Sequence, residues 1–171
     1  MREVKTCANS RVVHTRLIMP SECNSHGNLF GGHLMAEIDK AAAISFIRHG
    51  NAVGMTASMD SLNFLKPLPQ GHSVTIETIV SGVGSTSAEV FAEVVGEDLK
   101  TGERYLAATA FLTFVSTEFV DGERVQMPAL LPETEEELYI HAGYPNRKKA
   151  RLKEREIREE FNNKLISKHH M

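Results

Sequence analysis

The sequence predicts an α+β domain in which a strongly bent antiparallel sheet wraps a central helix, followed by a helical tail. Three observations predict it. The segment from Gly31 to about Arg48 is apolar almost all round, so a sheet must curl about it. Three long β-rich runs, 74–80, 87–95 and 105–115, follow one another through short turns, as neighbouring antiparallel strands do. The chain then becomes highly charged, which separates a domain of residues 1–130 from a helical extension of residues 131–171.

Residues 1–10 are polar and are expected to be frayed or loosely docked. Residues 11–19 are rich in β-formers and closed by Pro20, which makes a first strand. A polar loop from Asn24 leads into the helix, which ends near His49-Gly50-Asn51. Residues 52–61 read as a second strand and residues 63–71 as a connection pinned by Pro67 and Pro69. In the third strand Val74, Ile76 and Val80 share a face. In the fourth, Ala88, Val90, Ala92 and Val94 face one way and Glu89 and Glu93 the other. The fifth is mostly apolar on both faces, which marks a central strand or one buried against a partner. Turns fall at 82–85 and 98–102. In the tail, residues 133–137 give a helix an acidic first turn, and residues 146–167 form a charged helix. Its thin apolar stripe is Ala150, Ile157, Phe161 and Leu165. The basic run 147–151 has two readings: more often a solvated face, less often a phosphate contact.

With 171 residues, 42% of them hydrophobic and 24% charged, the chain suits one soluble domain with a full core and an appendage. A net charge of -3 gives no general reason to expect a nucleic-acid partner. Cys7 and Cys23 lack metal-ligand spacing and suit a reducing compartment. Neither a signal peptide nor an 18-residue apolar run is visible, so no membrane span and a cytoplasmic location are expected. No His/Asp/Glu spacing matches a metal site, which leaves His26 and His33 as supporting or solvent-facing groups.

One residue of the helix stands out. The neighbours of Asp39 three and four positions away are Met35, Ala36, Ala42 and Ala43, so a buried carboxylate is expected, whereas Glu37 has Lys40 to pair with. A buried acid is either a working group or a structural acid bonded to a backbone amide. Gly31 and Gly32 leave N–H groups uncovered at the positive end of the helix, a good place for an oxygen gaining negative charge. Gly32 and Asp39 are about 10.5 Å apart along the helix axis. If both serve one site, a second copy of the chain must supply one of them.

Several segments carry a resemblance. They are Asn24-Ser25-His26-Gly27, residues 29–35, residues 38–42, residues 56–60, residues 64–67, residues 83–87, residues 101–103, residues 111–115 and residues 131–135. Together, over roughly residues 11–155, they resemble the hotdog-fold acyl-CoA thioesterases of the bacterial YciA and brain acyl-CoA hydrolase type. The resemblance implies a hotdog fold and hydrolysis of acyl-CoA to free acid and CoA. It implies no metal and no cofactor beyond the coenzyme A of substrate and product. It also implies a dimer with asparagine and aspartate from opposite subunits, assembled as a trimer of dimers. Carried onto this chain, Asp39 is the general base or the nucleophile, Asn24 positions water or the acyl group, and Thr56 assists Asp39. Backbone N–H groups around Gly31, Gly32 and His33 polarise the carbonyl. Lys66, Ser85, Thr86 and Ser87 are the candidates for CoA contact, against a strand-turn hydrogen-bonding role for the last three. Ser85 stands where family members often carry arginine, and His72 where they carry aspartate.

Four rival readings are weaker. A non-catalytic acyl-CoA-binding hotdog protein would bind without turnover. A dehydratase needs a histidine paired with the acid, a transcriptional sensor needs a DNA-binding appendage, and an assembly module needs an essential tail.

Overall fold

The backbone follows from where apolar residues can be enclosed. In the computed structural model, which describes residues 2–169, the chain runs β1 (Val4–Thr6), α1 (Cys7–Ser10), β2 (Val12–Leu17), a 3-10 turn (Pro20–Glu22) and α2 (Gly31–Gly50). It continues with β3 (Gly54–Phe64), β4 (Ser73–Val83), β5 (Ser87–Glu97), β6 (Arg104–Ser116), β7 (Phe119–Val120) and β8 (Glu123–Arg124). β9 (Ala129–Leu131), α3 (Glu135–Ala142) and α4 (Tyr144–His169) complete it.

Five strands make one antiparallel sheet in the order β2-β4-β5-β6-β3. The alternation read in β4 and β5 holds: Val74, Ile76 and Val80, and Ala88, Val90, Ala92 and Val94, lie in the core. They meet Leu34, Ile38, Ala41, Ala42 and Phe46 of α2, and Phe46 stacks on Phe114 with ring centroids 5.5 Å apart. β6 is an interior strand, between β5 and the edge strand β3, in keeping with its two apolar faces. α2 ends at Gly50, where Asn51 takes a left-handed cap with φ 47°.

Two expectations are corrected. The N-terminal residues are docked: β1 pairs in parallel with β9, Cys7 and Ser10 are buried, and the Ser10 hydroxyl accepts from the Val80 N–H at 2.9 Å. Burial and the Glu137 carboxylate push the Cys7 thiol up to about 12, which keeps it protonated and unreactive at neutral pH. The basic run of the tail is neither a solvated face nor a free phosphate contact at its two arginines. Glu89 on the outer face of β5 is buried, and it receives Arg147 Nη2 at 2.8 Å, Arg151 Nη1, and the Ser81 hydroxyl at 2.8 Å. The Arg147 guanidinium also lies 4.1 Å over the Phe111 ring, and Tyr144 packs where a Cβ at Gly82 would stand. α4 is thereby fastened across the convex face of the sheet, while Ile157, Phe161 and Leu165 remain exposed.

Arg147→Met replaces the guanidinium over Phe111 with an apolar side chain and leaves Glu89 with one guanidinium. It is expected to lower stability by about 3 kcal/mol. The urea midpoint at fixed protein concentration measures this, and an unchanged midpoint would show that Arg151 suffices. Among the described residues, no helix is long and apolar enough to cross a membrane.

Candidate active site

The loop before α2 is built on its own hydrogen bonds. The Asn24 side-chain oxygen accepts from the N–H groups of His26 (2.9 Å) and Asn28 (3.2 Å), an Asx turn closed at Gly27 with φ +73°. The Leu29 N–H donates to the Leu68 carbonyl at 2.8 Å and the Gln70 N–H to the Gly27 carbonyl at 2.9 Å, which fixes the loop on the β3–β4 connection. With its oxygen engaged, exposed Asn24 presents its amide NH2 outward, as a donor.

Arg16 of β2 clamps this loop to the helix. It pairs with Glu22 of the 3-10 turn at 2.7 Å and with Glu37 of α2 at 2.7 Å. Glu37 therefore does not take Lys40 as its partner; a guanidinium two segments earlier in the chain out-competes a neighbour on its own helix. No local pattern in the sequence announces this clamp.

At the helix entrance, the N–H groups of His33 and Leu34 both donate to the Phe30 carbonyl, at 2.9 and 3.2 Å. Among the described residues, the N–H groups of Gly31 and Gly32 have no partner, so these two, and not that of His33, are the donors left free. Each lies at the positive end of a 20-residue helix.

Two turns further on, the Thr56 hydroxyl of β3 donates to Asp39 Oδ1 at 2.6 Å. Asp39 is half-buried, which corrects the expectation of a buried carboxylate. Of its apolar neighbours only Ala42 is buried under the sheet; Met35 and Ala36 are exposed and Ala43 is partly so. α2 has a second apolar face, with Met35, Ile44 and Ile47 each more than 40% exposed, and Asp39 sits in it. Phe30, Met55 and Phe64 add exposed apolar surface beside it, and β3 is an edge strand of the sheet.

One chain thus holds the candidate residues in two separate groups: Asn24 with the Gly31 and Gly32 amides at one end of α2, and Asp39 with Thr56 midway along it. The CoA candidates are also apart. The Lys66 N–H bonds to the Ala107 carbonyl and the Thr86 carbonyl to the Ser116 N–H, at opposite ends of β6, about 30 Å from each other. Lys66 Nζ lies 5.6 Å over the Tyr105 ring, Ser85 is exposed, and Ser87 lines a cleft of 560 Å³ between the outer sheet face and α4. Asp39 is not part of that cleft. His26 and His33 are exposed, and among the described residues no three His, Cys, Asp or Glu side chains are grouped to hold a metal ion.

A family profile described as the thioesterase superfamily matches residues 26–103. The chain is 50% identical over 139 residues to a protein of Bacillus subtilis (strain 168) described as an uncharacterized acyl-CoA thioester hydrolase, YkhA, across 81% of this chain and 80% of that one. It is similar to the acyl-CoA hydrolase of Staphylococcus aureus solved with butyryl coenzyme A, coenzyme A and coenzyme A disulfide. The TM-score is 0.87 at 33% identity, over 96% of this chain and 99% of that one. Other structures of the Staphylococcus aureus enzyme carry alanine in place of an aspartate, a threonine or an asparagine. An apo-hexameric acyl-CoA thioesterase superposes with TM-score 0.84 at 36% identity, over 89% of this chain and 97% of that one.

Proposed function

Because this chain belongs to the thioesterase superfamily and adopts its hotdog fold, we infer that it is an acyl-CoA thioester hydrolase, an enzyme releasing free acid and CoA. The observation that carries the site assignment is the hydroxyl of Thr56 holding the Asp39 carboxylate at 2.6 Å on an otherwise apolar helix face.

Asp39 is the general base. One carboxylate oxygen is oriented by Thr56, and the other takes a proton from water as the water oxygen attacks the thioester carbonyl carbon. The carbonyl oxygen gains negative charge against the Gly31 and Gly32 amides, with the Asn24 amide donating to the water or the acyl oxygen. The C–S bond then breaks, and the CoA thiolate recovers the proton from Asp39. A thiolate leaves readily, so the scheme uses no metal, no organic cofactor and no strong general acid.

The two half-sites meet when two copies pair, Asn24 and the glycine amides from one, Asp39 and Thr56 from its partner. The exposed face of α2 and the unpaired edge of β3 are the surfaces that such a pairing would cover. A trimer of such dimers is the assembly we assign, supported by the hexameric relative. Pairing also allows Lys66 and the 85–87 turn to act on one CoA from different chains. The Staphylococcus aureus substitutions fall on the same residue types, at the same spacing, as Asn24, Asp39 and Thr56, which supports the set. Two free cysteines suit a cytoplasmic setting.

The test is thiol release from acyl-CoAs of increasing chain length, with the particle mass measured in the same buffer. Steady turnover by a species several times 19.0 kDa is expected. Tight acyl-CoA binding without thiol release would favour the non-catalytic reading, and a fully active monomer would remove the shared site.

A further inference from the structure

Side chains on a regular strand alternate between faces, so Thr56, Ser58 and Asp60 of β3 would all project from the same side. They do not. Thr56 is paired with Phe114 and points inward to α2, whereas Ser58 is paired with Thr113, which lies on the outer face. Ala57 is the extra residue between them. Met59 pairs with Leu112 on the inner side, Ser61 with Phe111 on the outer, and Asp60 is a second extra residue. Two bulges in five residues therefore aim Thr56 at Asp39 while turning Ser58 and Asp60 toward α4.

The outer groups hold these bulges in place. The Asp60 carboxylate accepts from the Ser58 hydroxyl at 2.5 Å and from the Thr113 hydroxyl at 2.8 Å, and it pairs with Arg151 Nη1 of α4 at 3.2 Å. The Asp60 and Arg151 side chains are only 15% and 16% exposed, and Arg151 is held in turn by buried Glu89. Asp60 thus ties a bulged residue to its ladder neighbour on β6 and to the tail helix at once. Without that tie a bulge can migrate along the strand. If the first bulge moved by one residue, so that Ala57 paired with Phe114, Ala57 would take the inward place opposite Asp39 and Thr56 would lose it.

We propose that Arg151, acting through Asp60, is a positioning residue for thioester hydrolysis, pinning the β3 bulges so that Thr56 faces Asp39. The proposal rests on the site assigned above. It makes the tail helix, on the convex side of the sheet, part of the geometry of a site on the concave side.

Steady-state kinetics of four variants test it: Arg151→Gln, Arg151→Lys, Thr113→Val and Thr56→Ala, together with the Arg151→Gln/Thr56→Ala double variant. Arg151→Gln is expected to lower kcat by about tenfold or more, with KM for a short acyl-CoA changed less than about twofold. Arg151→Lys should restore most of kcat. Thr113→Val, which leaves every contact of α4 in place, should lower kcat in the same sense and carries the test if Arg151→Gln does not fold. In the Thr56→Ala background, Arg151→Gln should cause no further loss. A loss by the same factor in that background would show that Arg151 acts independently of Thr56 and would overturn the proposal. So would unchanged kcat in Arg151→Gln or Thr113→Val while Thr56→Ala is impaired, which leaves the site assignment standing. Full activity of Thr56→Ala would instead remove Thr56 from the site and the proposal with it.

Discussion

Asp39→Asn is expected to lower kcat by about a thousandfold while the protein remains folded. Asparagine has the shape of aspartate and its side-chain oxygen still accepts from the Thr56 hydroxyl, so the 2.6 Å contact survives. It cannot take a proton from water. Asp39 is half-buried and has no cationic partner among the described residues, so removing its charge strands no opposite charge. The thermal midpoint should consequently stay close to that of the parent, which separates a chemical loss from an unfolding one. Thiol release under saturating acyl-CoA is the measurement. A loss below tenfold would take proton transfer away from Asp39.

Mixing two inactive variants should restore activity. Asn24→Ala and Asp39→Ala damage opposite half-sites, so each homodimer has two broken sites. In a mixed dimer, one site receives Asn24 from the Asp39→Ala chain and Asp39 from the Asn24→Ala chain, and is intact. Random pairing makes half of the dimers mixed, so co-expression should return about a quarter of the parent activity per chain. Separately purified variants, each expected near background, provide the baseline. Co-expressed chains that form mixed dimers without gaining activity would mean that each site is built within one chain.

The fold was legible wherever the pattern is local. The inward faces of β4 and β5 and the interior place of β6 follow from two-residue spacings, and the end of α2 near Asn51 from the residues that stop a helix. Glu89 shows where that ends: alternation put it on the outer face, but its burial depends on Arg147 and Arg151, some sixty residues away in sequence. Polar composition concealed the docking of residues 4–6, because a ladder to residues 129–131 leaves no periodic trace near either strand. Asp39 was misjudged for a related reason. An all-round apolar helix looks fully enclosed, yet one of its two apolar faces is left uncovered by its own chain. Of the candidate site, Asp39 stood out by its apolar neighbours and Gly31 and Gly32 by their place at the helix entrance, and helix geometry alone posed the two-half-site problem; Asn24 and Thr56 were found through the resemblance. The choice between the Gly32 and His33 amides needed the hydrogen bond to Phe30. The facing of Thr56 needed two bulges that no propensity announces.

The parallel pairing of Val4 with Ala129 has a consequence for synthesis. β1 can be paired only after β9 has also left the ribosome, an interval on the order of ten seconds at ordinary elongation rates. Until then the N-terminal strand has an open edge, and the buried Ser10 hydroxyl also waits for residue 80. The core sheet, whose neighbouring strands β4, β5 and β6 are consecutive, can form much sooner because its loops are short to close. The middle of the sheet can thus be in place before the β1–β9 ladder forms.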